Sequence, residues 1–249
     1  MSLEILLVRH GQSTANVAAA RAESSGAELI EVDARDADIT LSETGLDQAR
    51  ALGSWLRSLP DDARPDLVWS SPYRRALDTA RTALAEAGID VPVRTDERLR
   101  DRDLGITDMH TQAGIRARYP EEAERREWLG KFYHRPPGGE SWADVALRVR
   151  SVLADLERLG EGRVLVSAHD VVIMIFRYVC EGLDEETVLD VARTDGVRNA
   201  SVTRIAQNGP ASWRLVDYNI DTHLTDRGVS PTDEPAVGEQ ESADEDAAP

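Results

Sequence analysis

Apolar positions along this chain fall into short runs and helical stripes that take turns. Leu3 to Val8, broken only by Glu4, is a run of buried-strand length that stops at Arg9-His10-Gly11. Ser13 offers an N-cap for a short helix from Ala15. Val17 to Asp38 is mixed and partly acidic without a clear period, and reads as a loop with one helical turn. Ser42 caps a helix whose stripe is Leu46, Ala49, Leu52, Gly53 and Leu56. Asp66 to Trp69 is a short strand that stops at Ser70-Ser71-Pro72, and a helix from Pro72 to Ala87 follows with Ser71 as its cap. Val91 to Val93 is a third strand, and Leu99 to Gly105 a charged loop.

Two helical patterns, Thr111–Tyr119 and Glu121–Phe132, end in the breaker cluster Arg135 to Ser141. Ser141 caps a long helix with the stripe Trp142, Val145, Leu147, Val149, Val152, Leu153, Leu156 and Leu159. Arg163 to Ser167 is the clearest strand, ending in Ala168-His169-Asp170, and a helix runs from Val171 to Cys180. Ser201–Ala206 and Trp213–Asn219 pair as closing strands around a turn at Asn208-Gly209. This order predicts an α/β fold: a mostly parallel open sheet with helices on both faces, carrying a helical insertion.

Such sheets bind ligands beyond the carboxyl ends of their strands. The first strand delivers Arg9 and His10 there, the second Ser70-Ser71 followed by Arg74 and Arg75, the third Asp101 and Asp103, and the fourth His169. Alone, Arg9-His10-Gly11 reads equally well as a turn with a surface cation or as an anion site. Together the set suits phosphoryl transfer. Arginines neutralise phosphoryl oxygens, a neutral imidazole attacks phosphorus, and a carboxylic acid protonates the leaving oxygen. With cations carrying that charge, no metal or other cofactor is required.

Composition narrows the field. A hydrophobic fraction of 41% with 30% charged residues describes a globular chain, and no run has the length of a membrane span. The net charge of −17 argues against nucleic acid or an anionic membrane as partner. The stretch from Thr225 to Pro249 has eight acidic residues against one basic, and few large apolar ones. Residues 225–249 are therefore expected to be a disordered acidic tail behind a catalytic domain over 1–224. The lone Cys180 lies in an apolar run and reads as core, which makes the cytoplasm the expected compartment. Lys131 is the only lysine, so nearly every cation is the planar fork of an arginine.

Leu7-Val8-Arg9-His10-Gly11-Gln12-Ser13-Thr14-Ala15-Asn16 resembles the signature of the histidine phosphatase superfamily, which includes the phosphoglycerate mutases and acid phosphatases. Leu41 to Ala49, Ser70 to Ala80, Pro137 to Ser141, Val164 to His169, Asn199 to Val202 and Asn219 to Leu224 resemble its later blocks in the same order. The resemblance implies a phosphohistidine mechanism with His10 as nucleophile and Arg9, Arg75 and His169 around the phosphoryl group. Arg75 is preferred to Arg74 because the family's arginine directly precedes the alanine of that block, and helical neighbours point about 100° apart. Ser13 and Asn16 match positions that help hold the phosphate region. Asp101 stands where the family has the glutamate acid/base and is one methylene shorter. Asp103, Glu97 and Glu140 are alternatives, and an ion pair with Arg100 or Arg102 is the bland reading of Asp101.

His110, His134 and His223 read as surface or structural residues. His134, with Lys131 and Arg135, lies in the insertion expected to roof the site, and Trp55, Trp128, Trp142 and Trp213 read as core or helix packing. The implied activity is hydrolysis of a small-molecule phosphomonoester. Phosphoglycerate mutase-type transfer and a catalytically weak binding relative are the competing readings.

Overall fold

The computed structural model describes residues 2–209 and 212–233. Six strands, β1 (Leu3–Arg9), β2 (Leu67–Ser70), β3 (Val93–Thr95), β4 (Gly162–Ala168), β5 (Val202–Gly209) and β6 (Ser212–Ile220), form one sheet in the order β3-β2-β4-β1-β5-β6. The first four in that order are parallel, and β5 and β6 close the edge as an antiparallel pair. The helices are α1 (Thr14–Ser25), α2 (Glu43–Ser58), α3 (Arg74–Ala87), α4 (Gln112–Arg118), α5 (Pro120–Leu129), α6 (Trp142–Glu157), α7 (Asp170–Glu181), α8 (Glu185–Thr194) and α9 (Thr222–Thr225).

The two-residue period of β1 divides the core. Leu3, Ile5 and Leu7 face α6 and α7 with Val145, Val149, Val166 and Phe176, whereas Leu6 and Val8 face α2 and α3 with Leu52, Leu56, Ala80 and Leu84. Both faces of the strand are buried, as a central parallel strand requires. The register aligns Arg9 with Ala168 and Ser70 with Ser167, so three strands end level and release their next residues at one edge.

Several expected elements differ. The segment after Ser13 is a full twelve-residue helix, α1, running to Ser25; only Ala22 on it is buried, so it has almost no apolar stripe to read. Helix α3 begins at Arg74 rather than Pro72, and Ser71 is not its cap. Asn208-Gly209 is not a turn, because β5 continues through it and Gly209 pairs with Ser212. In α6 the predicted stripe is buried at Trp142, Val145, Val149, Val152, Leu153 and Leu156, but Leu147 is 68% exposed, Leu159 is exposed beyond the helix, and Arg148 is buried. Trp128 is exposed rather than packed. Helix α8 is not among the expected elements, although Asp184 caps it and Val188, Leu189, Val191 and Ala192 form an apolar stripe against the core.

Part of the expected tail is also ordered. The Gln48 amide donates to Ser230 O and Thr232 Oγ1, and Asn199 N donates to Thr232 O, which fastens residues 229–232 to the domain. Residues 234–249 lie outside the described residues. Among the described residues no helix is long and apolar enough to cross a membrane.

Candidate active site

The level strand ends bring the site together. His10 follows β1, its N–H donating to Ala168 O at 3.0 Å, and Ser71 follows β2, its N–H donating to Ser167 O at 2.9 Å. His169 follows β4 as the N-cap residue of α7. Arg75 enters from the first turn of α3, and Asp101 from the loop after Glu97–Leu99. All but Asp101 are buried.

His10 is held in one tautomer. Its Nδ1–H donates to Gly11 O at 2.8 Å, so Nε2 carries the lone pair, and Arg75 Nε–H points at that nitrogen from 3.3 Å. Burial first, then the charges of Arg75, His169 and Arg9, hold its pKa well below the usual histidine value. An unprotonated imidazole beside a guanidinium has the lone pair and the neighbouring cation that attack on an anionic group requires. The loop is fixed from below: Thr79 Oγ1 accepts from Gly11 N and donates to Arg75 O, linking nucleophile and cation through one hydroxyl. From the other side, Asn199 Nδ2 and Ala200 N donate to the carbonyls of His10 and Arg9.

Arg75 rather than Arg74 faces the site. Arg74 lies on the surface near Asp78, whereas Arg75 is 4% exposed and spans two carboxylates, its Nη2 2.8 Å from Asp101 Oδ2 and its Nη1 2.7 Å from Asp36 Oδ1. Burial opposes its charge, and those carboxylates more than restore it. Asp101 Oδ2 is also 3.1 Å from His169 Nδ1, and its Oδ1 accepts from Arg102 N. Burial alone would raise the Asp101 pKa, but His169 and Arg75 hold it well below the carboxylate range. Its partners are therefore Arg75 and His169, not the Arg100 or Arg102 side chains. Glu140 is committed to Arg100 and Arg148.

His169 Nε2 forms a 2.9 Å hydrogen bond with Ser71 Oγ, which also accepts from Tyr73 N. Ser71 thus orients the second histidine, a role that its cap-like position before Pro72 concealed. Arg9 donates to Val197 O at 2.6 Å. Ser13 and Asn16 bond one another in a capping box at the start of α1 and hold the loop that carries His10 and Gly11.

The three residues of the expected roof are tied elsewhere. His134 pairs with Glu122, Arg135 with Asp144, and Lys131 sits over Trp142. His223 is a buried structural residue on Ala200 O.

His10, Asp101 and His169 could each offer a metal one ligand atom, all within 4.8 Å. The Arg75 guanidinium, however, already contacts two of the three, and its charge opposes a divalent cation there. The arrangement is built for an anion.

The family model of the histidine phosphatase superfamily (branch 1) matches residues 5–221. The chain belongs to this superfamily. A 2,3-bisphosphoglycerate-dependent phosphoglycerate mutase of Methylobacterium radiotolerans is 33% identical over 222 residues, covering 87% of this chain and 97% of its own. A mycobacterial glucosyl-3-phosphoglycerate phosphatase superposes with a TM-score of 0.69 at 30% identity, covering 88% of this chain and 99% of its own. YhfR of Bacillus stearothermophilus gives 0.69 at 25% identity, covering 90% and 100%. The histidine phosphatase fold and phosphoryl-transfer chemistry follow for this chain, and the two named activities differ in the acceptor of the phosphoryl group.

Proposed function

We propose that this histidine phosphatase hydrolyses a small-molecule phosphomonoester through a phosphohistidine on His10. The observation that carries the reading is the single tautomer of a buried, neutral His10 whose Nε2 faces Arg75. The Nε2 lone pair attacks phosphorus and the ester P–O bond breaks, with Arg9, Arg75 and His169 around the phosphoryl oxygens. The leaving oxygen takes its proton from Asp101, which takes that proton up from solvent as the substrate binds. A phosphoryl dianion beside Asp101 competes for Arg75 and adds like charge, both of which raise the Asp101 pKa toward a working acid. In the second half Asp101 takes a proton from water, the water oxygen bonds to phosphorus, and the P–N bond breaks to restore His10 and release inorganic phosphate.

Hydrolysis is favoured over mutase transfer because several cations near the site are held by the chain's own groups, Arg100 and Arg148 sharing Glu140, Arg135 on Asp144 and Arg102 on the Glu140 carbonyl. The mutase reading, supported by the curated relatives, requires cations available for a bisphosphorylated intermediate. The acidic balance of the chain supports a small phosphate rather than nucleic acid or a membrane as partner, and the buried Cys180 thiol fits a cytoplasmic site.

The test is turnover of an aryl phosphate with release of inorganic phosphate, unchanged by EDTA, together with trapping of an acid-labile, base-stable phosphoenzyme. His10→Ala abolishes both, and equal residual activity in wild type and variant refutes the enzyme reading. Interconversion of phosphoglycerates without phosphate release establishes the mutase instead. Asp101→Asn slows esters with poor leaving groups more than aryl phosphates, and equal loss on both assigns the proton to another acid.

A further inference from the structure

Arg75 presents Nε to His10 Nε2 and Nη2 to Asp101, and its remaining donor group, Nη1, is occupied by another of this chain's own carboxylates. Asp36 Oδ1 and Asp36 O both accept from it at 2.7 Å. The residue lies in a short 3-10 turn, Asp36–Asp38, between Arg35 and the buried Ile39. That turn belongs to a segment held at both ends. Ile30 N donates to Met109 O and Leu29 bridges to His110, while Leu41 bridges to Ser13.

The two carboxylates on Arg75 are not equivalent. Asp101 is fixed a second time by Arg102 N and lies against His169. Among the described residues the Asp36 carboxylate bonds only Arg75, and its side chain is 31% exposed. A rotation toward solvent frees it, and the Asp36 carbonyl can keep the turn on Arg75 meanwhile.

We propose that Asp36 is a resident competitor for the phosphate pocket: its carboxylate leaves Arg75 when a phosphoryl group arrives and returns to expel inorganic phosphate. The proposal rests on the phosphohistidine reading of the site. A phosphoryl group on His10 Nε2 sets its oxygens against Arg75, whose guanidinium already carries two carboxylates, so a third anion there is repelled by both and the less tethered carboxylate, Asp36, gives way. Bare phosphate gains only the difference between its own contact with Arg75 and that of Asp36. A substrate adds contacts from its leaving group and so overcomes the same competition. Asp36 therefore weakens ester and product by the same factor, and bare phosphate, which lacks the leaving-group contacts, is left too weakly held to inhibit.

The measurement is the equilibrium affinity of the full chain for inorganic phosphate, by titration calorimetry, in wild type, Asp36→Asn and Asp36→Ala. Removing the competing charge tightens phosphate binding about tenfold or more, the scale of one charge-assisted hydrogen bond. It also lowers the inhibition constant of phosphate against aryl phosphate turnover by the same factor. Asp36→Asn keeps the side-chain shape and Asp36→Ala removes it; thermal melts confirm that each is folded. Unchanged affinity, weaker affinity, or no binding by either variant overturns the proposal, weaker affinity showing that Asp36 merely positions Arg75. Binding is read without turnover, so an inactive wild type defeats the phosphatase reading while the affinity comparison still decides the role of Asp36.

Discussion

Gly45→Ala separates helix propensity from the close backbone approach that supports the loop carrying His10. Within a helix, alanine in place of glycine stabilises by about 1 kcal/mol on propensity alone. Gly45 lies in the first turn of α2, its N–H donating to the Ser42 cap, so propensity predicts a gain. The tertiary setting reverses the sign. A Cβ at Gly45 falls 2.0 Å from Gln12 O, and one at Gly11 falls 2.5 Å from Gly45 O, so the two backbones are in contact across the β1–α1 loop. Restoring ordinary contact moves them apart by about 1.4 Å.

Little in that loop can give. Gln12 N donates to Gln48 Oε1, Gln12 O accepts from Ser42 N, and Ser42 Oγ donates to Gln12 Oε1. The neighbouring Gly11 carbonyl is the acceptor that fixes the tautomer of His10. A shift of this size costs about 1–3 kcal/mol as overpacking, and misplacing the nucleophile by about 1 Å costs about 100-fold in rate. The expected result is a fall in Tm of several degrees and a loss of about two decades in kcat/KM on an aryl phosphate. Gly26→Ala is the control. Gly26, unlike the helical Gly45, has a left-handed backbone (φ 67°) and nothing within 4 Å of its would-be Cβ, so about 1 kcal/mol is lost there with activity retained. A Gly45→Ala protein as stable as wild type with full turnover refutes the reasoning.

Three further outcomes follow from the same contacts. Ser71→Ala leaves buried His169 Nε2 without its hydroxyl partner, which lowers stability by about 1–3 kcal/mol and kcat/KM by at least about tenfold; a denaturant melt and the aryl phosphate assay check both, and a silent variant removes Ser71 from the site. Arg148→Leu strips donors from the carbonyls of Arg98, Arg100 and Asp101 and leaves Glu140 one cation short. It destabilises by about 3–5 kcal/mol in a urea titration, and a change under about 1 kcal/mol contradicts the assigned clamp. Four buried histidines, His10, His134, His169 and His223, have pKa values lowered in the folded state, chiefly by burial. Below pH 6.5 the unfolded chain binds protons that the folded one does not, so stability falls by up to about 1.4 kcal/mol per pH unit for each. Asp101, held low, adds stability that is present above its unfolded value and lost only in more acid solution. Calorimetry at pH 7.5 and 5.5 should show the lower Tm at 5.5, and an equal or higher one there contradicts the burial argument.

What the sequence showed and what it hid divide along a physical line. Strands β1 and β4 were legible because both their faces are buried, so each is a continuous apolar run, and the residues that follow such a run must emerge at one sheet edge. That placed Arg9, His10 and His169 together, and the block containing Arg75 added the cation. An element that buries little leaves no comparable trace, as α1 shows with one buried residue. Inside α6 most of the apolar stripe is buried as its spacing predicts, and the pattern fails at one pair: hydropathy puts Leu147 in the core, whereas Arg148 is buried because three backbone carbonyls and Glu140 satisfy its guanidinium. The same kind of long-range pairing set the character of the site. Asp101 was visible as a carboxylate at the right strand end, but its charge state depends on His169 and Arg75 arriving from other elements. Asp36 could not be found at all, since it sits in an unpatterned acidic segment and acquires meaning only at Arg75, 39 residues away. Local sequence thus supplies the groups of a phosphoryl-transfer site, while tertiary partners decide which anion holds its arginine when no substrate is bound. On that balance rests the difference between an enzyme that keeps its product and one that releases it.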